Sequence, residues 1–311
     1  MRRELVSELV ALAAADERIV LLTGDLGFMA LEPFAERFPR RFFNVGVAEQ
    51  NMVGMATGLA EAGFVPFVWS IATFATLRPY EFIRNGPVAQ RLPVRVIGVG
   101  GGFDYGPNGL SHFALEDIAV MRAQPGMTVL VPADGDQARA AVRALPDIAG
   151  PAYVRVGRSS APVPGLDGRF APGGLACIGQ GADVVLVAVG AIAHSAVAAA
   201  ALLAEDRIAA TVAVVSSFNP GPDDELAQLL SGTGLALSVE AGYVQGGLGS
   251  YVAEVIAEGG LGCRLRRCGV RSVPSGAVGT QAYLEAQHGL SAPSLAAAAR
   301  TALDLPRLGA G

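Results

Sequence analysis

The chain has 311 residues, 51% of them hydrophobic and 16% charged, and a formal net charge of −5. That length allows two domains of ordinary size, and the composition belongs to a well-buried α/β protein rather than to a disordered chain or a coiled coil. A negative balance with no basic tract argues against nucleic acid as a partner, and no run approaches the ~18 apolar residues of a membrane span.

So low a charge density leaves two readings open: a surface largely covered by another protein chain, or a bias toward alanine. The opening MRRELVSELVALAAADERIVLL is interrupted by Glu4, Glu8 and Asp16, and reads as a helix followed by a strand, not as a signal peptide. Cys177, Cys263 and Cys268 supply neither a disulfide framework nor a zinc ligand set. They read as thiols in a reducing compartment, so a cytoplasmic location is expected.

In chain order, strands are expected at 19–23 (IVLLT), 42–45 (FFNV), 65–69 (FVPFV region), 94–99 (VRVIGV), 128–131 (TVLV) and 152–156 (AYVRV). Helical stretches lie between them at 3–15, 30–37, 48–62, 76–89, 114–122 and 135–145. Residues 159–174, SSAPVPGLDGRFAPGG, are rich in Pro and Gly without apolar period and read as a linker. A second series follows, with strands at 184–189, 211–215, 235–239 and 264–270 and helices near 193–204, 223–230, 247–258, 278–288 and 293–304. The reading is α/β: two domains, each a mainly parallel sheet with helices on both faces, spanning 1–160 and 175–311 with a linker at 161–174.

Open parallel sheets bind ligands beyond the carboxyl ends of their strands. That rule nominates TGDLG (23–27) with Asp25, NVGVAEQ (44–50) with Glu49, the loop GVGGGFDYGPNGLSH (98–112) and RVGR (155–158). Glu49 stands out because its neighbours are apolar, small or amidic. Either it starts a surface helix, where the helix dipole favours a negative charge, or it meets a partner in a dry place. The helix behind it, with Met52, Met55, Ala56, Leu59 and Ala60, is apolar nearly all round. Gly54 and Gly58 are spaced to admit another helix, so it is buried or lies in an interface. The 98–112 loop matches neither the P-loop nor the dinucleotide fingerprint. Its length argues for function, and His112 at its end sits where a bound substrate would be covered. Phe74, Leu77 and Tyr80 form one apolar stripe, either ordinary core or a shelf for a flat ring.

Together TGDLG, RFFNVGVAEQNMVGMATGLAEAG, ATFATLRPYEF, the SHFALEDIAVMRAQPGMTVLVPADG block and YVRVGR resemble the C-terminal half of transketolase, over residues 1–160 and more weakly over 170–311. The resemblance is to the subunit of a split transketolase that carries the pyrimidine-binding domain and the transketolase C-terminal domain. It implies thiamine diphosphate as cofactor, with Glu49 hydrogen-bonding N1′ of the aminopyrimidine and so promoting proton removal from thiazolium C2. It implies Phe74, Leu77 and Tyr80 against the pyrimidine ring, with Leu77 where many relatives carry a third aromatic. Asp25 would lie beside the cofactor pocket and the subunit interface. His112 and Asn108 would contact the donor, and Arg158, with Arg2 as a second candidate, a sugar phosphate. Gly100 stands where sugar-using relatives have histidine, and Asn108 where they have aspartate, which leaves the donor open.

The family's GDG motif with its downstream Asn is absent, so this chain carries no metal ligands. The diphosphate and Mg²⁺ are expected on a partner, the diphosphate-binding N-terminal transketolase subunit, in an α2β2 heterotetramer. The implied activity is transfer of a two-carbon ketol unit from a ketose phosphate to an aldehyde. The rival readings are the beta subunit of a 2-oxo acid dehydrogenase or decarboxylating ligase, and a non-catalytic paralogue.

Overall fold

The computed structural model describes residues 1–304; the last seven residues of the domain expected over 175–311 lie outside the described residues. The first part of the chain forms α1 (Arg2–Ala15), β1 (Ile19–Thr23), α2 (Glu32–Arg37), β2 (Phe42–Asn44), α3 (Glu49–Glu61), β3 (Val65–Ile71), α4 (Ala72–Leu77) and α5 (Tyr80–Ile83). It continues through β4 (Arg95–Val99), α6 (Asp117–Arg122), β5 (Thr128–Leu130), α7 (Gly135–Ala144) and β6 (Ala152–Val156). The second part forms β7 (Leu175–Ile178), β8 (Val184–Ala188), α8 (Ala193–Glu205), β9 (Ala210–Val215), β10 (Ser217–Phe218) and α9 (Asp223–Ser231). Then come β11 (Leu235–Tyr243), α10 (Leu248–Glu258), β12 (Arg264–Val270), α11 (Gln281–Gln287) and α12 (Ala292–Asp304).

The first sheet runs β10-β5-β6-β4-β3-β1-β2 and the second β12-β11-β8-β9-β7. Pairing is parallel except at two edges, β10 against β5 and β7 against β9. Central strands such as IVLLT and VVLVA are buried at every residue, as expected of parallel strands covered on both faces. Apolar residues of β1, β3, β4 and β5 join those of β8, β9 and α10 in a single cluster, so the two sheets share core.

Strand β10 comes from the second half of the chain but completes the sheet of the first, with Ser217 opposite Leu130 and Phe218 opposite Val129. Neither β7 nor β10 was expected; each is short, and β10 is defined by its partner rather than by its own pattern. The helix expected over 76–89 begins at Ala72 and is broken: α4 stops at Leu77, Pro79 intervenes, and Arg84–Val88 make a π-helical turn containing Pro87. Proline cannot donate its backbone nitrogen to the preceding turn, which accounts for the interruptions. Residues 157–174 are irregular, but Val163 and Leu166 are buried, and Val163 N donates to Asp134 Oδ2 at 3.0 Å. The other oxygen of Asp134 caps α7 by accepting from Gln137 N at 2.9 Å, so one buried carboxylate fixes both segments.

Candidate active site

Glu49 is the first residue of α3, and only 3% of it is exposed. The dry alternative therefore holds, and its partners are Ser70 and Arg78. Oε1 accepts a hydrogen bond from Ser70 Oγ at 3.1 Å, and Oε2 pairs with Arg78 Nη1 at 2.8 Å. Gly24, just past β1, lies beside it: a Cβ there would lie 3.4 Å from the Gly46 carbonyl oxygen and 3.7 Å from Glu49 Oε1, ordinary van der Waals distances. Because the dipole of α3 points its positive end at this residue, the carboxylate is favoured where the chain puts it.

Arg78 leads on to the aromatic side of the site. Its guanidinium carbon lies 3.8 Å from the centroid of the Phe74 ring, on the ring face. Phe74 meets His112 edge to face at 5.1 Å, and His112 Nδ1 is 3.0 Å from Ser111 Oγ. Tyr105 approaches His112 at 6.2 Å, and the Arg158 guanidinium lies 5.1 Å from the Tyr105 centroid. Arg158 is held by Asp104: its backbone N donates to Oδ2 at 2.9 Å and Nη1 to the carbonyl at 3.0 Å. A continuous line of contacts thus joins Glu49 to Arg158, residues that are 109 positions apart in the sequence. All of it lies at or beyond the carboxyl ends of β2, β3, β4 and β6, where the sheet rule places ligands.

The remaining expected residues are arranged differently. Asp25 is exposed in the left-handed backbone region (φ 59°), its amide donating to Asn44 Oδ1 at 3.0 Å while Asn44 Nδ2 donates to Asp25 Oδ1 at 2.9 Å. Leu77 is exposed at the end of α4, and Asn108 is exposed on the turn Gly106–Asn108. The hydroxyl of Tyr80 donates to the Val120 carbonyl at 3.1 Å and accepts from Gln124 Nε2, which leaves the ring, not the hydroxyl, for any ligand.

The loop after β4 is shaped by its glycines. Gly100 adopts φ 81°, and a Cβ on it would fall 2.1 Å from the Tyr105 ring. A Cβ on Gly101 would fall 1.8 Å from Arg155 Nε. Tyr105 therefore fills the space that a side chain at position 100 would take. Burial pushes its phenol pKa upward, opposed by the Arg2 and Arg158 cations. Arg155 is buried against Asp117 at 3.3 Å and donates to the Ala114 and Ala241 carbonyls, which ties this loop to both sheets.

Sequence reasoning missed Ser70, Arg78, Tyr105 and Asp104. Arg78 had a signal: it is the only cation in ATFATLRPYEF, and Glu49 needed one. Val47 lines the same concavity as Glu49 and Arg78 and is 71% exposed; Met29 (86%) and Phe28 (72%), in the segment after β1, are exposed too. On α3, Met52, Val53, Ala56 and Ala60 face the core, while Gly54, Met55 and Gly58 are exposed. Among the described residues no group of three His, Cys, Asp or Glu could hold a metal ion, and no helix is long and apolar enough to cross a membrane. Chemically, a buried carboxylate at the foot of an aromatic wall can share a proton with a flat heterocycle, and the Tyr105, His112 and Arg158 side offers donors to a polar, anionic molecule.

Residues 1–164 match the family described as transketolase, pyrimidine binding domain, and residues 173–295 that described as transketolase, C-terminal domain. The chain is 35% identical to the 6-deoxy-6-sulfo-D-fructose transketolase subunit SqwH of a Clostridium species, covering 96% of this chain and 93% of that one. It is 35% identical to one subunit of the apulose-4-phosphate transketolase of Phocaeicola vulgatus, over 85% of this chain and 86% of that one. Among solved structures it superposes on a split gene transketolase described as an inactive beta4 tetramer, with TM-score 0.89 and 39% identity, over 98% of this chain and 99% of that one.

Proposed function

This chain belongs to the transketolase family, and from that premise we propose that it is the pyrimidine-binding subunit of a heteromeric transketolase that moves a two-carbon ketol unit from a ketose phosphate to an aldehyde. The observation that carries the reading is Glu49, a carboxylate buried beside an aromatic face at the mouth of a parallel sheet. The transketolase family depends on thiamine diphosphate, and the residues present fit its aminopyrimidine. Phe74 offers a ring face, and the Glu49 carboxylate offers a proton acceptor out of water. When bound, that cofactor supplies the nucleophilic carbon of the reaction, as cofactors generally carry the hard chemistry of such enzymes.

Within this reading the chain's own residues divide the work. Glu49 holds a proton at N1′ of the aminopyrimidine, and α3 keeps it fixed. Phe74 stacks on the ring, with Leu77 and Tyr80 completing the wall. His112 and Asn108 meet the donor's hydroxyls, and Arg158, aligned by Asp104, binds its phosphate as a guanidinium suits an oxyanion. Asp25, locked to Asn44, stands at the rim where a second chain would meet the cofactor. The diphosphate and Mg²⁺ are assigned to a partner subunit, and the assembly to two copies of each chain in the cytoplasm. The relatives described as subunits support that need for a partner, as do the exposed apolar side chains Phe28, Met29 and Val47.

The test is to co-purify this chain with its partner and to assay ketose phosphates with aldehyde acceptors beside carbon dioxide release from 2-oxo acids. Ketol transfer that needs both subunits and thiamine diphosphate is expected. Carbon dioxide release from a 2-oxo acid, or transfer by this chain alone, would overturn the proposal.

A further inference from the structure

Resting on the cofactor reading of the preceding subsection, we propose that Arg78 competes with the aminopyrimidine for its own site, and that loading the cofactor requires this side chain to turn out. The ring needs two things from this chain, the face of Phe74 and the carboxylate of Glu49. The Arg78 guanidinium engages both at once, 3.8 Å from the ring centroid and 2.8 Å from Oε2. A guanidinium is flat, carries N–H donors in a plane and stacks on aromatic faces. Those are the properties by which a protonated aminopyrimidine would be recognised. The two cannot occupy one ring face together.

The exchange is asymmetric in burial. The Glu49 side chain is 2% exposed, whereas that of Arg78 is 43% exposed, so only the arginine can leave without unburying the charge. Its route is open. Arg78 follows α4, and with Val47, Gln50 and Asn51 it lines a concavity that opens to the surface. While paired, Arg78 keeps a buried carboxylate from standing alone, which a folded chain tolerates poorly. The arginine therefore holds Glu49 in position until the ring replaces it.

The experiment compares wild type, R78M and R78K, each assembled with the partner subunit. Calorimetric titration with thiamine diphosphate is followed by thermal unfolding of each chain without cofactor. Met keeps the length of the stem but removes the competing charge and plane. R78M is expected to bind thiamine diphosphate about tenfold more tightly, corresponding to the loss of one favourable competing contact. Without cofactor, R78M should unfold several degrees lower, and adding E49Q to it should restore most of that loss. R78K can still pair with Glu49 but stacks poorly, so its affinity should fall between the other two. Equal or weaker binding by R78M and R78K, with wild type binding normally, would overturn this proposal and leave the function intact. A wild-type complex that binds no thiamine diphosphate would remove both.

Discussion

The central question at the scale of single residues is what allows a glutamate to be buried at the start of an apolar helix. The answer is a hydroxyl and a guanidinium: Ser70 and Arg78. The sequence made the need for such partners legible, because a lone carboxylate cannot be dry without them. It did not identify them, since Arg78 lies 29 residues away and reads locally as a surface cation. Tyr105 was illegible for a different reason. Its role depends on the left-handed turn at Gly100, which brings the ring over position 100 and beside His112 and Arg158. The Tyr105 ring thereby stands among the residues proposed to meet the donor. Tyr105→Phe, which removes only the phenol oxygen, is expected to raise the donor KM about fivefold, the worth of one hydrogen bond, with cofactor affinity unchanged. An unchanged donor KM would remove Tyr105 from the donor site.

At the scale of elements, nearly every helix and long strand was readable from period and turn chemistry, because parallel strands announce themselves as short apolar runs. The failures were β7, β10 and the broken helix after β3, where an edge, a neighbouring sheet or a proline decides the outcome. The role of α11 was equally hidden. Thr280 caps it by accepting from Tyr283 N at 3.2 Å, and its Glu285 faces a polar cavity between the sheets shared with Asp104, Arg155 and Gln281. Just past it, His288 stacks on Phe103 at 5.3 Å, and Gly279 N donates to the Gly106 carbonyl at 3.3 Å. This end of the second sheet buttresses the loop that carries Tyr105 and His112.

Burial, reinforced by Asp104, raises the Glu285 pKa to about 7, against the pull of its hydrogen bond from Gln281. The folded chain then keeps a proton that the unfolded chain loses above about pH 4.5. Stability from this group is complete below that value and is lost as pH rises to about 7, by up to about 3 kcal/mol. Glu240, which caps α10 through the Leu248 and Gly249 amides, is also raised to about 7, chiefly by burial, and slopes the same way. Glu285→Gln should flatten this decline between about pH 5 and 7 in denaturant titrations. A slope identical to wild type would contradict the buried, proton-holding state of Glu285.

At the scale of the whole molecule, the two sheets act as one body because β10 crosses between them and the core is continuous. The line of contacts from Glu49 to Arg158 lies at the carboxyl ends of the first sheet's strands. The low charge density had left a covered surface and an alanine bias open; the exposure of the large apolar side chains Phe28, Met29 and Val47 favours the first. On this account the chain provides proton handling and donor recognition, and its partner anchors the diphosphate. The most direct measurement is deuterium exchange at C2 of thiamine diphosphate bound to the assembled complex, wild type against E49Q. The account predicts that E49Q slows exchange by about 10²–10⁴-fold while cofactor stays bound and the fold is intact, as expected when a positioned acid–base group is lost. Exchange at the wild-type rate in E49Q would contradict it.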